Sequence, residues 1–275
     1  MLVLLGPPFS GTDEQFSRLA QMTGLVAYDL RTKLKADQWG VVRALADVDQ
    51  AVELGDQLRL AGFRIALVDV DVAHDPNRPI VVLRSIDLGP EHMVLHLRER
   101  TMQVPYKALL TIVRGEVQVG QAPLGTGRSS PPSSATFRAV VPTASELEIF
   151  RESVTAAFDT HHAADLHFTT VLWAARIDVR SFDFTSLGSP EQSPARSLDE
   201  LVDWLGEQCG VRVDRGSRHT SLASFAARPP PMRSASPVPS GAVAPRASIA
   251  TGDERFSAYS RLLAEAERQT RPRGA

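Results

Sequence analysis

Cysteine and long apolar stretches are scarce in this sequence of 275 residues. Cys209 stands alone, so the chain cannot form an internal disulfide, and nothing in it favours an oxidising compartment. No apolar stretch approaches the roughly 18 residues that a membrane-spanning helix needs. The opening run Met1–Leu5 has no basic residues before it and meets Gly6 at once, which favours a strand over a signal peptide. These absences predict a cytoplasmic protein that does not insert into a membrane.

Lysine is equally scarce, so the positive charge is almost entirely arginine. The lysines are Lys33, Lys35 and Lys107. Arginine often recognises phosphate, but codon usage in a GC-rich genome explains arginine, alanine and proline together. The arginines are scattered, and 30 basic side chains face 32 acidic ones. The chain therefore lacks the electrostatic signature of a nucleic-acid-binding protein, and we expect no nucleic-acid partner.

What the sequence does contain is enough apolar material for a core, with 43% hydrophobic residues. Residues 1–76 alternate between strand and helix patterns. Thr12 with Gln15 fits a capping box, Asp47 an N-cap and Gly62 a helix end. The predicted elements are strand Leu2–Leu5, a helix from Thr12, strands Leu25–Tyr28 and Gly40–Leu45, a helix from Asp47 and strand Phe63–Val70. This βαββαβ order predicts a ferredoxin-like unit in an α+β protein.

Residues 79–220 predict a second, β-rich α+β domain. Its expected elements are strands Ile80–Ile86, His92–Arg98 and Met102–Tyr106, a hairpin of Leu109–Val113 and Glu116–Val119, strand Phe137–Val141, a helix from Thr143 to Phe158, strands Asp165–Leu172 and Ala175–Val179, and a helix capped by Ser197. Residues 121–134 are rich in Gly, Ser and Pro and predict a flexible loop. This pattern predicts a small curved sheet or partial barrel with one or two helices, of which a pleckstrin-homology-like barrel is one form.

The last fifty residues differ again. Residues 228–250 form a Pro/Ala/Ser-rich stretch that predicts a disordered linker. Residues 251–270 then predict an amphipathic helix that begins with a capping box of Thr251 and Glu254. The apolar residues Phe256, Tyr259, Leu262 and Leu263 recur at helical spacing. A capped amphipathic helix on a tether is typical of a partner-binding motif.

We therefore expect a non-enzymatic interaction or regulatory protein with an unidentified protein partner and no cofactor. Phe256, Tyr259, Leu262 and Leu263 would anchor the helix in a partner's groove. The tether of about 24 residues would span ~27 Å. That length also allows the helix to dock on its own body, and the two arrangements are nearly even alternatives.

A different hypothesis makes the protein an enzyme or sensor that uses a nucleotide through residues 6–12. Leu5–Thr12, with Leu19 and Gly24 beyond, resembles the opening of adenylate kinases and other P-loop proteins, which would imply nucleotide binding. A P-loop needs Lys and then Ser or Thr after its second glycine, whereas this chain has Thr12 and Asp13 there. A Gly/Pro turn that leads into a capped helix explains the same residues.

The same hypothesis could instead use a transition metal through residues 161–167. His161, His162, Asp165 and His167 are ligand types within seven residues of one another. No second cluster shows the spacing of a known site, and histidines near a helix end followed by an ordinary strand explain the pattern better.

A third group of candidate residues surrounds a predicted strand end, namely Asp69, Asp71, His74 and Asp75, with His92 and His96 on a later strand. Such residues can form an acid/base or metal site, but acidic residues are equally common where a strand emerges into solvent. Ser10, Ser181 and Cys209 lack a nucleophile signature such as Gly-x-Ser-x-Gly. The sequence therefore gives no catalytic residue.

Two further stretches carry a resemblance. Gly24–Asp29, and Phe182–Phe184 followed by Leu187-Gly188 and Leu201-Val202, are similar to recurring patterns in a group of uncharacterised bacterial proteins from GC-rich genomes. The likeness extends toward the terminal helix. That group has no assigned activity, so the resemblance implies that the chain is one evolutionary unit and implies no mechanism.

Overall fold

The structure is a computed structural model that describes residues 1–120, 158–187, 193–216, 221–226 and 252–271. The described part is mixed α+β, with six helices and two sheets. The helices are α1 (Asp13–Thr23), α2 (Ala27–Lys33), α3 (Val48–Leu60), α4 (Pro194–Cys209), α5 (Ser221–Ala226) and α6 (Gly252–Thr270). The strands are β1 (Leu2–Leu5), β2 (Gly40–Ala44), β3 (Ile65–Val68), β4 (Ile80–Leu88), β5 (His92–Leu97), β6 (Thr101–Pro105), β7 (Leu109–Gly120), β8 (Phe158–Phe168), β9 (Ala174–Asp178) and β10 (Val213–Asp214).

The N-terminal unit is a three-stranded sheet with the order β2-β1-β3, in which both outer strands run antiparallel to β1. Helices α1 and α3 begin at the predicted caps. Thr12 accepts the amide hydrogen of Gln15, and Asp47 accepts two amide hydrogens in the first turn of α3. Because α5 lies beside the outer edge of β2, the amide of Val41 donates to the Ser221 hydroxyl at 2.7 Å.

The strand predicted over Leu25–Tyr28 is wrong, because these residues lead into α2. Gly24 ends α1 in the left-handed conformation with φ +66°, and the chain re-enters a helix three residues later. Asp29 lies in the first turn of α2 and Lys33 in its last, where their charges complement the helix dipole. A four-residue apolar run does not distinguish strand from helix, and these local charges favour the helix.

The second sheet has seven strands in the order β10-β7-β8-β9-β4-β5-β6. Its neighbours are antiparallel except at β10–β7 and β4–β9. The predicted hairpin around Arg114-Gly115 is wrong, because Leu109–Gly120 is one continuous strand. Strand β8 pairs with β7 along this whole length, so the backbone groups at Gly115 find partners without a turn.

Several elements predicted for the second domain begin or end elsewhere in the structure, and others lie outside the described residues. Phe158, predicted as the end of a helix, begins β8, and the strand predicted over Asp165–Leu172 ends at Phe168. Helix α4 begins at Pro194, three residues before the predicted cap Ser197. The loop 121–134, the strand 137–141, the helix from 143 up to Phe158 and the linker 228–250 lie outside the described residues.

The large sheet is covered on both faces near β8. Alternation along β8 directs Ala164, Leu166 and Phe168 to one side, where they pack with α4. Ala163 points to the other side and packs against α6. Helix α6 also contacts β3, so it touches both sheets. The division into domains 1–76 and 79–220 stays a prediction, since α6 packs against both units.

No helix in the described ranges combines the length and the apolar character needed to cross a bilayer.

Candidate functional site at the C-terminal helix

Helix α6 contacts strands of both sheets, β3 of the small one and β7 of the large one, and also α5. The four predicted anchors, Phe256, Tyr259, Leu262 and Leu263, are 0–4% exposed. Their spacing puts them on the face that packs against β3, β7 and α5. The helix is therefore docked on the chain's own body, which is one of the two arrangements that the sequence left open.

The apolar part of this docking site comes from both units of the chain. We call the surface beneath α6 the helix seat. Its buried apolar members are Leu2, Leu4, Trp39, Val41, Ala66, Val68, Ala73, Val113, Val117, Ala163, Leu222 and Ala226. Burial of one large apolar side chain is worth about 1.5–3 kcal/mol, so the four anchors contribute about 6–12 kcal/mol to docking before entropy is counted.

The helix seat also has a charged centre on β8 and β9. Asp165 and Arg176 lie directly opposite each other in the register of these strands. Their pair is bidentate, with Nε–Oδ1 at 2.6 Å and Nη2–Oδ2 at 2.8 Å, and both side chains are at most 5% exposed. Because a buried charge without a partner is costly, this pair fixes the geometry of the sheet face.

Helix α6 completes the coordination of Arg176. Asp253, in the first turn of α6, accepts from Nη1, and the Ser257 hydroxyl lies 3.0 Å from Nη2. The guanidinium also stacks over the Phe256 ring at 4.9 Å. Burial alone would lower the pKa of Arg176, but the charges of Asp165 and Asp253 raise it above its ordinary value. The arginine therefore stays charged and links the sheet to the helix.

A second polar contact joins β8 to α6. His167 is 3% exposed, and its Nε2 lies 2.6 Å from the Ser260 hydroxyl. Burial lowers the pKa of His167 to about 4, and the neighbouring arginines Arg176, Arg261 and Arg268 act in the same direction. Asp165 opposes this shift without cancelling it. The imidazole is therefore neutral near pH 7 when the helix is docked.

The C-terminal half of α6 is tied to the N-terminal unit by a further polar cluster. Glu267 accepts from the indole Nε1 of Trp39 at 2.8 Å and from Arg64 Nη2 at 2.7 Å. Nearer the start of α6, Tyr259 donates its hydroxyl to Oδ1 of Asp214, on β10 of the large sheet, at 2.7 Å. Arg78 lies 2.7 Å from Glu265. The helix is thus positioned by charged and polar contacts at both ends as well as by its apolar face.

The predicted metal ligands do not converge. His161 Nε2 lies 3.2 Å from an Asp178 oxygen, and His162 Nδ1 lies 3.0 Å from Arg114 Nη1. Asp165 and His167 have the partners described above. Among the described residues, no three His, Cys, Asp or Glu side chains lie together in a way that could hold a metal ion.

The third candidate group is also dispersed. Asp69 and Asp71 belong to the entry of a 3₁₀ turn over Val70–His74, where the Asp69 carboxylate accepts the Asp71 amide hydrogen. Asp75 pairs with Arg78 at 3.2 Å. On β5, His96 Nε2 lies 2.7 Å from Asp87 Oδ2. Each contact organises a local turn or strand pair.

The P-loop-like residues form a packed turn. The amide of Gly6 donates to the Arg64 carbonyl at 2.9 Å, and the amide of Gly11 donates to Gln15 Oε1 at 3.1 Å. A Cβ at Gly6 would lie 2.4 Å from the Trp39 ring, so close packing explains this glycine. These amides are engaged within the protein and do not support a phosphate cradle.

Cys209 is not arranged as a nucleophile. Burial raises the pKa of its thiol to about 11, so almost none of it is thiolate near neutral pH. The Ser10 hydroxyl is engaged in a hydrogen bond, which it donates to Gln15 Oε1 at 2.9 Å.

Sequence reasoning missed the residues that give the helix seat its specificity. Arg176, Ser257 and Ser260 were not singled out, although Asp165 and His167 were. The available signal was the placement of Asp165 and Arg176 directly between apolar neighbours, within Ala163–Leu166 and Ala174–Ile177. Such residues are rarely buried unless a specific partner covers them.

Comparison with known proteins finds no matching family model, no similar curated protein and no similar solved structure. The geometry of the helix seat is therefore the basis for a functional proposal.

Proposed function

We propose that this chain is a non-enzymatic interaction or regulatory protein whose C-terminal helix exchanges between its own helix seat and a protein partner. When the helix is docked, the helix seat covers four of its side chains, those of Phe256, Tyr259, Leu262 and Leu263. When released, it would offer the same four side chains to a partner's groove, which is the helix-in-groove mode of recognition.

The observation that carries this proposal is the mixed character of the docking contact. Arg176 on the sheet is matched by Asp253 and Ser257 on the helix, and His167 by Ser260. Charged and polar contacts specify one register of the helix, whereas apolar contacts alone would tolerate several. They also make docking sensitive to pH and salt, which suits a contact that must be switched.

The chain between the body and the helix supports the same proposal. Residues 227–251 separate α5 from the first described residue of α6, and residues 228–250 among them are predicted to be a tether. A short flexible tether holds a docked element at an effective concentration of about 1 mM. A partner would therefore have to bind the helix well or weaken the charged centre of the seat.

The test uses a labelled peptide of residues 252–271 and the full chain. In the variant Leu263→Glu the chain's own helix is weakened, so the vacated seat should bind the peptide with micromolar affinity. The wild-type chain should bind at least about 100-fold more weakly, because the tethered helix competes at millimolar effective concentration. Fluorescence anisotropy measures both affinities.

Two controls make this experiment decisive. Arg255→Glu introduces the same residue on the exposed face of α6, so this chain should behave as the wild type does. A peptide that itself carries Leu263→Glu should bind neither chain. If the Leu263→Glu chain unfolds, or stays folded without binding the peptide, the helix is a permanent core element and the proposal fails.

The alternative of a nucleotide- or metal-dependent enzyme or sensor is tested separately. No contact of residues 6–12 or 161–167 described above favours it. Thermal unfolding of the full chain with ATP, GTP, Zn²⁺, Mn²⁺ or Ni²⁺ would reveal binding, since a ligand at 100 times its Kd adds about 2.7 kcal/mol of stability. An unchanged Tm across this panel would remove the alternative for those ligands.

For the architecture, we infer that the N-terminal unit is a ferredoxin-like fold that lacks one strand. The support is the split arrangement in which α3 links β2 and β3 across the central β1. We also propose that the β-rich unit is a pleckstrin-homology-like partial barrel and that the protein is cytoplasmic.

A further inference from the structure

A small apolar pocket lies on the side of the large sheet that packs against α4, away from the helix seat. Its volume is about 190 Å³. Its apolar walls are Leu88, Phe184, Leu187, Leu201 and Trp204. Because an apolar protein cavity of roughly 150 Å³ can bind benzene, this larger pocket has room for one substituted aromatic ring or one small fused ring pair.

One wall of the pocket carries an unsatisfied hydroxyl. Ser197, in the first turns of α4, is 6% exposed, and its Oγ has no hydrogen-bond partner among the described residues. A helical serine can usually donate to the carbonyl four residues earlier, which here is that of Ser193. In this helix that carbonyl accepts the backbone amides of Arg196 and Ser197 and not the Ser197 hydroxyl. A buried polar atom left without a partner costs free energy, so it marks a place where a ligand atom would be favourable.

The charge of the pocket restricts the ligand. Among the described residues of the lining, Glu200 is the one with an ionisable side chain, and its carboxylate lies 3.2 Å from Arg196 Nε. The carboxylate of Glu200 would repel an anionic ligand, and its existing pair with Arg196 weakens the attraction of a cationic ligand. The lining therefore favours an uncharged molecule.

Each aromatic ring in the pocket wall packs against a second aromatic ring outside the lining. Trp204 is 40% exposed and packs edge-on against Tyr106, with ring centroids 5.8 Å apart. Phe184 packs against Phe182 at 4.7 Å. Two braced aromatic rings beside an open volume provide faces and edges for a further ring.

We propose that this pocket, hereafter the Ser197 pocket, binds an uncharged aromatic molecule of one ring or one fused ring pair that carries a single hydrogen-bonding group. Phenols and indoles belong to this class. The ring lies between Trp204 and Phe184, and the polar group meets the Ser197 hydroxyl, which can turn about χ1 toward the pocket.

The test follows the indole amide resonance of Trp204 in the full chain by NMR, assigned with the variant Trp204→Phe. Phenol, indole and benzene are the probes, and benzoate is the charged comparison. We expect phenol and indole to shift this resonance saturably and benzoate not to. In Ser197→Ala, phenol should bind about fivefold more weakly because one hydrogen bond is lost, while benzene binding stays unchanged.

A second variant, Leu201→Phe, fills the pocket and should abolish binding of all probes. The proposal is overturned if phenol and indole leave the Trp204 resonance unchanged in the folded wild-type chain. It is also overturned if Ser197→Ala weakens the binding of phenol and of benzene equally, or leaves both affinities unchanged. The hydroxyl would then not recognise the ligand. These outcomes are independent of the proposed exchange of α6, which involves the opposite face of the sheet.

Discussion

Acid should loosen the docked helix through His167. Burial lowers the pKa of this imidazole to about 4 in the folded chain, whereas an unfolded chain has an ordinary value near 6.5. The groups that face it are Asp165 on its own strand, Arg176 on β9, and Arg261 and Arg268 on α6. Only Asp165 favours the charged form, so protonation is unfavourable while α6 is docked.

The sign and size of the effect follow from linkage. Above pH 6.5 the imidazole is neutral in both states and contributes no pH dependence. As the pH falls below 6.5 the unfolded chain takes up a proton that the folded chain does not, so stability is lost until the pH reaches about 4. At 1.36 kcal/mol per pKa unit, the loss between pH 7 and pH 5 is about 2 kcal/mol.

Urea unfolding at pH 7, 6 and 5 measures this loss. The variant His167→Gln keeps a donor for Ser260 but does not titrate, so it should lose about 2 kcal/mol less than the wild type over this range. His92→Gln, on β5 outside the helix seat, should keep the wild-type pH dependence. Equal pH dependence in the wild type and His167→Gln would refute the reasoning.

Three other perturbations test separate parts of the structure by unfolding or reactivity. Arg176→Met leaves Asp165 charged and buried, so urea unfolding should show a loss of about 3–5 kcal/mol. The double variant with Asp165→Leu should lose less than the single one. Gly6→Ala places a Cβ against the Trp39 ring and should cost about 1–3 kcal/mol by thermal unfolding, whereas an unchanged Tm would contradict the packing role of this glycine. Cys209, with its thiol pKa raised to about 11, should react with a disulfide reagent at pH 8 about 100-fold more slowly than in the unfolded chain.

Local signals predicted α6 correctly and the helix seat poorly. The spacing of Phe256, Tyr259 and Leu263 reports an apolar face, and helical periodicity is a property of the segment alone. What covers that face depends on residues more than 200 positions away, such as Arg64, whose contact with Glu267 no local pattern reveals. The sequence therefore predicted the helix but left both docking alternatives open.

The contacts of the charged centre could not be predicted from local patterns either. Asp165 and His167 were noticed because they are potential metal ligands, but their partners depend on strand register and on the placement of α6. Register sets Asp165 opposite Arg176, and a shift of one strand by one residue would direct one of these two side chains to the other face of the sheet. Short apolar runs caused a different error, in which a strand was predicted where a helix begins. Residues 25–28 are too few for their periodicity to separate a strand from the start of α2.

Hydrogen exchange of the intact chain tests most directly whether α6 is an exchangeable element. Amides in β8, which is paired on both sides, should open only with global unfolding, whereas those of α6 should open in a separate, less costly event. We predict that α6 amides exchange at least about tenfold faster than β8 amides, and that both exchange faster at pH 5 than at pH 7 after correction for intrinsic rates, because His167 is exposed in either opening. Equal protection of α6 and β8 at both pH values would contradict the account, because the helix would then leave its seat only when the whole protein unfolds.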